Sequence, residues 1–162
     1  MTRRSRRGNG VETAVIPNLH ALYHRVDEIA IRIMTAKGLL LLRVSLGIVF
    51  FWFGLLKVIG VSPVANLVAV AIYWAPPGVT VPLLGIFEVA LGIGLLTGVA
   101  MRLTLGLFWL HLAGTFLVLV FRPDIAFQHG NPLLLTVEGE FVVKNLVLIA
   151  GGIAVGSTVK HQ

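Results

Sequence analysis

Cysteine is absent from all 162 positions. That excludes disulfides, thiolate-bound zinc, iron–sulfur clusters and any CxxC redox relay. Charge is scarce: Asp, Glu, Lys and Arg make up 12% of the chain against 57% hydrophobic residues, and the mean hydropathy is +0.93. So small a soluble body leaves much of its surface exposed and could not hide this much apolar material, so the solvent is lipid. Acidic residues are the rarer sign, 7 against 13 Lys and Arg. In a soluble protein the net charge of +6 would suggest nucleic acid. Here the cations sit at one end and beside apolar runs, as in membrane proteins, and no nucleic-acid partner is expected.

Four apolar runs make up most of the chain, and each contains an ionisable residue: Arg43 and Lys57, then Glu88, then His111, then Lys144. Such groups are costly in hydrocarbon and rarely face lipid, so they are the first candidates for function. Residues 1–17 read as a disordered basic tail with Arg3, Arg4, Arg6 and Arg7. Its Ser5-Arg6-Arg7 step is followed by Gly-Asn-Gly where an apolar stretch should begin, so export targeting is not expected. Residues 18–37 open on Asn18 as an N-cap after Pro17, and Leu19, Leu22, Tyr23, Val26, Ile29, Ile33 and Met34 recur at helical spacing. This predicts an amphipathic helix lying on the membrane surface, the alternative being a helix packed on a soluble partner. His20 and His24 form a possible metal pair, but a solvated face is preferred.

Residues 38–158 form the transmembrane domain, with spans expected over about 38–60, 81–100, 101–121 and 137–156, each near the ~20 residues a bilayer requires. Ser62-Pro63 reads as the N-cap and first residue of a short helix that ends near Trp74, because Pro76-Pro77 follows. Thr80 and Pro82 begin the second span. Residues 122–136, with the turn His129-Gly130-Asn131-Pro132, are expected as a loop or shallow re-entrant segment. The fold class is therefore an all-α integral membrane protein, a four-helix transmembrane bundle with an N-terminal interfacial helix and a short extracytoplasmic helix. Arg3, Arg4, Arg6, Arg7, Arg25, Arg32, Lys37, Arg102 and Lys160 fall on one side, leaving Arg122 opposite. Both termini are thus expected in the cytoplasm of a bacterial inner or plasma membrane.

Spacing also predicts which faces turn inward. Arg43, Gly47, Phe50, Gly54 and Lys57 lie on one stripe, as do Gly85, Glu88, Gly92 and Leu95. The third span gives Thr104, Phe108, His111, Thr115 and Arg122, and the fourth Glu140, Lys144, Leu148, Gly151 and Val155. At about 1.5 Å rise per residue, Lys57 and Lys144 lie roughly 5–8 Å below the outer surface, Glu88 about 10 Å and His111 about 15 Å. Lys57 or Lys144 can then reach Glu88, and Glu140 and Lys144 are an i,i+4 pair. Arg43 lies near the opposite face as a structural anchor to cytoplasmic phosphates.

The run LLRVSLGIVFFWFGLLKV, residues 41–58, resembles the first helix of the DoxX-like small membrane proteins, and FEVALGIGLL from Phe87 resembles their second. Residues 129–152, HGNPLLLTVEGEFVVKNLVLIAGG, are closer to the YkgB branch of that superfamily, whose last helix likewise begins after a glycine-containing turn. The resemblance spans residues 38–156 and implies a four-helix membrane protein, linked in some relatives to quinone-dependent sulfur oxidation and in others to oxidative-stress defence. Fold likeness alone licenses no reaction.

Two functions of different class stay open. In the first, the chain is a quinone-linked oxidoreductase subunit: Glu88 and His111 transfer protons, Lys57 or Lys144 stabilises a reduced oxygen, and Phe50, Trp52 and Trp109 line the ring. A quinone is the candidate cofactor, none is bound covalently, and a protein partner supplies electrons. In the second, it is a non-catalytic anchor or assembly subunit of a redox complex, with Lys57–Glu88 and Glu140–Lys144 as pairs that fix helix register. A small-ion transporter is weaker, since no paired Gly/Pro interruption marks an inverted repeat. No metal site is expected, because no ligand pair has metal spacing within a span.

Overall fold

The computed structural model describes the backbone of residues 12–159 and the side chains of residues 20–159. The arginines of the expected tail, the side chain of Leu19, and Lys160 lie outside the described residues. Among the described residues six helices follow in order: α1 (Glu12–Val58), α2 (Ala65–Ala71), α3 (Pro77–Thr97), α4 (Met101–Phe121), α5 (Pro123–Ala126) and α6 (Val137–Gly156), with a 3-10 turn at Gln128–Gly130 before α6. No β-strand occurs among the described residues; one antiparallel bridge pairs Phe127 with Leu135. Four stretches are long and apolar enough to cross a membrane: residues 20–58 of α1, α3, α4 and α6.

The N-terminal unit, up to Gly38, is helical from Glu12, inside the stretch expected as tail. Asn18 is therefore an interior residue and not an N-cap. Gly38 does not end the helix either, since one interior glycine costs only about 1 kcal/mol among good helix formers. Its apolar stripe of Leu22, Tyr23, Val26, Ile29, Ile33 and Met34 is exposed along its length.

In the second unit, residues 39–162, helix packing is set by glycine. Gly47 and Gly54 of α1 meet Gly92 and Gly85 of α3 in antiparallel register, both pairs being seven residues apart. A Cβ on Gly54 would lie 2.6 Å from the Gly85 carbonyl oxygen, and one on Gly92 would lie 2.5 Å from the Phe51 nitrogen. In lipid such close backbone approach replaces the hydrophobic drive. α4 packs between α3 and α6, and the bundle core is filled by Leu46, Phe50, Leu91, Leu95, Leu105, Phe108, Leu112 and Val155.

The connections differ from expectation in three places. Helix α2 starts at Ala65, because Ser62 and Pro63 form a turn in which the Ser62 carbonyl accepts from the Ala65 N–H. Helix α3 starts at Pro77, whose fixed φ suits a first helical position, so Pro82 lies inside it. Residues 122–136 hold α5 and the 3-10 turn, and Thr136 caps α6 by accepting from the Gly139 N–H at 3.0 Å. Gly139 sits against the Ala126 carbonyl, where a side chain would not fit.

Candidate functional site

Antiparallel glycine packing of α1 on α3 decides where the first two charges go. Lys57 lies a turn beyond Gly54 and Glu88 a turn beyond Gly85, on opposite sides of the tight contact in this antiparallel pair, and because helical side chains lean back toward the N-terminus the two meet over it. Lys57 Nζ donates to Glu88 Oε2 at 2.5 Å, with side chains 5% and 8% exposed. From α4, His111 places Nε2 3.2 Å from Glu88 Oε1, again with 8% exposure. Each Glu88 oxygen thus has its own cationic or cationisable partner. Phe50 meets the His111 ring edge-on at 5.8 Å and Phe87 approaches it at 5.7 Å, so the imidazole is clasped between aromatic rings. Phe50 also packs on the fully buried Phe108 at 4.9 Å.

All three groups line a cavity of about 480 Å³. Most of its remaining wall is apolar, from Phe50 and Val49 of α1, Leu84 of α3, Leu112 and Val118 of α4, and Val142 and Leu148 of α6. Helix α2 covers one side through Leu67, Val68, Ala71 and Ile72. The exposed Phe53, Leu110 and Phe141 carry the cavity out to the apolar surface. Arg122 holds α2 in place: Nη1 donates to the Val70 carbonyl at 3.1 Å, while Nε and Nη2 donate to the two Asp124 oxygens at 3.1 and 2.8 Å. These hydrogen bonds raise the guanidinium above its ordinary pKa and lower that of the Asp124 carboxyl.

The remaining candidates separate. Lys144 reaches the cavity wall, yet its side chain is 73% exposed and pairs with Glu140 at 3.0 Å rather than with Glu88. Glu140 lies outside the lining. Trp52 and Trp109 also lie outside it, because each is two positions from an inward residue, about 200° around the helix. Trp109 instead packs over Gly152 and Gly156 of α6. Arg43 sits apart, half-buried beside Gly98 with its Nε buried and unpartnered, on a second cavity of about 470 Å³ that Arg102 also lines.

Sequence reasoning missed Asn145. It is 6% exposed, lines the main cavity, and donates through Nδ2 to Thr115 Oγ1 at 2.9 Å. The signal was available: Val142, Asn145 and Gly152 share one face at three- and seven-residue steps and are all buried, and Asn145 and Gly152 lie one position beyond Lys144 and Gly151 of the stripe read from the sequence.

Compared with known proteins, the DoxX family model matches residues 38–121, more than half of the chain. No curated protein and no solved structure matches it.

Proposed function

Because the chain belongs to the DoxX family and carries four helices able to cross a membrane, we propose that its main cavity binds a lipid-soluble quinone. In this reading the protein is the membrane subunit of a redox complex, of the oxidative-stress or sulfur-oxidation type. The observation that carries it is the buried Lys57–Glu88–His111 line on the wall of a largely apolar cavity. A register-fixing pair needs two groups; a third, proton-exchanging group and an adjoining cavity exceed that need. Glu88 and His111 stand at a separation across which a proton passes, and Lys57 places a cation where negative charge develops on a reduced oxygen. Electrons come from a partner protein. The apolar rim of Phe53, Leu110 and Phe141 admits a lipid-borne molecule sideways from hydrocarbon. Residues 129–152 support a place near the YkgB branch, and the cation distribution supports cytoplasmic termini in a bacterial inner or plasma membrane.

The second reading, a non-catalytic anchor, is favoured by the Lys57–Glu88 pair itself, since mutual neutralisation is the usual way an intramembrane charge is tolerated. Mass spectrometry of lipids extracted from protein purified in native-membrane nanodiscs distinguishes the two. A quinone is expected at near-equal stoichiometry with the wild type. It is expected to be lost from the Lys57→Met/Glu88→Leu double variant, which removes both charges and leaves no unpaired ion to unfold the bundle. A wild type that carries no quinone, even after quinone is added back, sinks the site reading and leaves the anchor.

A further inference from the structure

Asn145 is the buried polar residue on the cavity wall that the Lys57–Glu88–His111 line does not use. Thr115 donates to the Leu112 carbonyl at 2.7 Å, so its hydroxyl can only accept from Asn145, and this fixes the amide with Nδ2 toward Thr115. One N–H of the Asn145 amide is thereby used. Its second N–H and its Oδ1 have no partner among the described residues, although the side chain is more than nine-tenths buried. Arg43 Nε is the one sealed, unpartnered side-chain atom among the described residues, so the spare capacity of the amide opens on the cavity, where a polar group of a ligand can complete it.

Thr115 lies four residues beyond His111 on α4, on the same helix face and about 6 Å further along the axis. The cavity therefore has two polar poles, Glu88–His111 and Thr115–Asn145, whose α4 members His111 and Thr115 are one helical turn apart while Glu88 and Asn145 come from α3 and α6, with apolar walls at Phe50 and Leu148. A single-headed amphiphile such as a fatty acid or long-chain alcohol satisfies one pole and leaves the other dry. We propose that the cavity selects a planar ring carrying oxygens at two opposite edges, a 1,4-dioxygenated ring, and that Asn145 is the specificity residue holding the oxygen remote from Glu88. This rests on the quinone-site reading and adds to it the polar pattern of the ligand.

The test measures equilibrium binding, by calorimetry on nanodisc-embedded full-length protein, of a decyl-tailed 1,4-benzoquinone and of 4-decylphenol, which has one oxygen. The wild type is expected to prefer the quinone by about tenfold, the size of one added hydrogen bond to a buried group. Asn145→Leu is expected to abolish that preference, weakening quinone binding about tenfold more than phenol binding. Equal wild-type affinities for the two probes overturn the inference and leave the quinone site standing, as does an Asn145→Leu variant that keeps the preference. A variant weakened equally toward both probes assigns Asn145 to packing and also overturns it. Saturable binding of neither probe overturns the site reading itself. If Asn145→Leu does not fold, Thr115→Val decides: freeing the amide from its anchor is expected to reduce the preference several-fold, and an undiminished preference overturns the proposal.

Discussion

At the scale of single residues, two glycines do more to build the site than the charged groups they bring together. Gly54 and Gly85 stand opposite each other where a Cβ on either would meet the partner helix's backbone at 2.6 to 2.9 Å, and backbone cannot swing aside as a side chain can. Gly54→Ala is therefore expected to push α1 off α3 and to cost about 1–3 kcal/mol, as overpacking of a well-filled core does. The drop appears as a lower unfolding temperature in detergent. Gly106→Ala, where nothing lies within 4 Å of the added carbon, is expected to leave that temperature unchanged or raise it. An equal loss in both variants removes the steric account. The glycine stripes were legible in the sequence because their four-three spacing is a property of the helix alone. The partner of Glu88 was legible only as an alternative, Lys57 or Lys144, from their similar depth. The inward turn expected of Lys144 does not occur, because its i,i+4 partner Glu140 lets that lysine stay outside.

Among the elements, α2 is the one whose position depends on a few named bonds. It is seven residues long, buries no residue fully, and lies over the cavity with Arg122 fastened to its Val70 carbonyl. Asp124 orients that guanidinium through two hydrogen bonds, and Arg122 thereby holds the carboxyl below its ordinary pKa. A depressed carboxyl contributes stability above its unfolded value, and that contribution is lost as pH falls through the lower folded one, here from about pH 4 downward. A spin label on Asn66→Cys, the sole cysteine in such a variant, is thus expected to keep its mobility down to about pH 4 and to gain mobility only below it. In an Asp124→Asn background the same label is expected to be mobile already and flat with pH. A label that stays immobile in the Asp124→Asn background assigns the hold on α2 to other contacts. None of this fastening could be read from the sequence, since the Arg122–Val70 bond joins residues 52 apart and uses a backbone oxygen that any residue would supply. Ser62-Pro63 resembled a helix start for a local reason, and the turn that Ala65 closes there is equally local.

For the whole molecule, the four apolar stretches of 20 to 39 residues among the described residues set the class, because an unbroken apolar run of about 20 residues crosses hydrocarbon as a helix, which satisfies its own backbone groups. An even number of spans puts the two ends of the bundle's chain on one side, and the cations decide which. In the sequence Arg25, Arg32 and Lys37 precede the first span of the bundle and Arg102 opens α4 at the α3–α4 turn, whereas the connections that hold α2 and α5 offer Arg122, engaged with Asp124 and Val70. The positive-inside bias then predicts that residues 61–76 and 122–136 are extracytoplasmic and that Ser157 is cytoplasmic. The lack of native cysteine makes this directly measurable. Asn131→Cys and Ser157→Cys, both at exposed positions, each introduce a single thiol. A membrane-impermeant maleimide applied to intact cells is expected to label the first at once and the second only after permeabilisation. The reverse pattern inverts the bundle and puts the Lys57–Glu88–His111 cavity in the cytoplasmic half, where a partner delivering electrons to a bound quinone would have to dock on the opposite face.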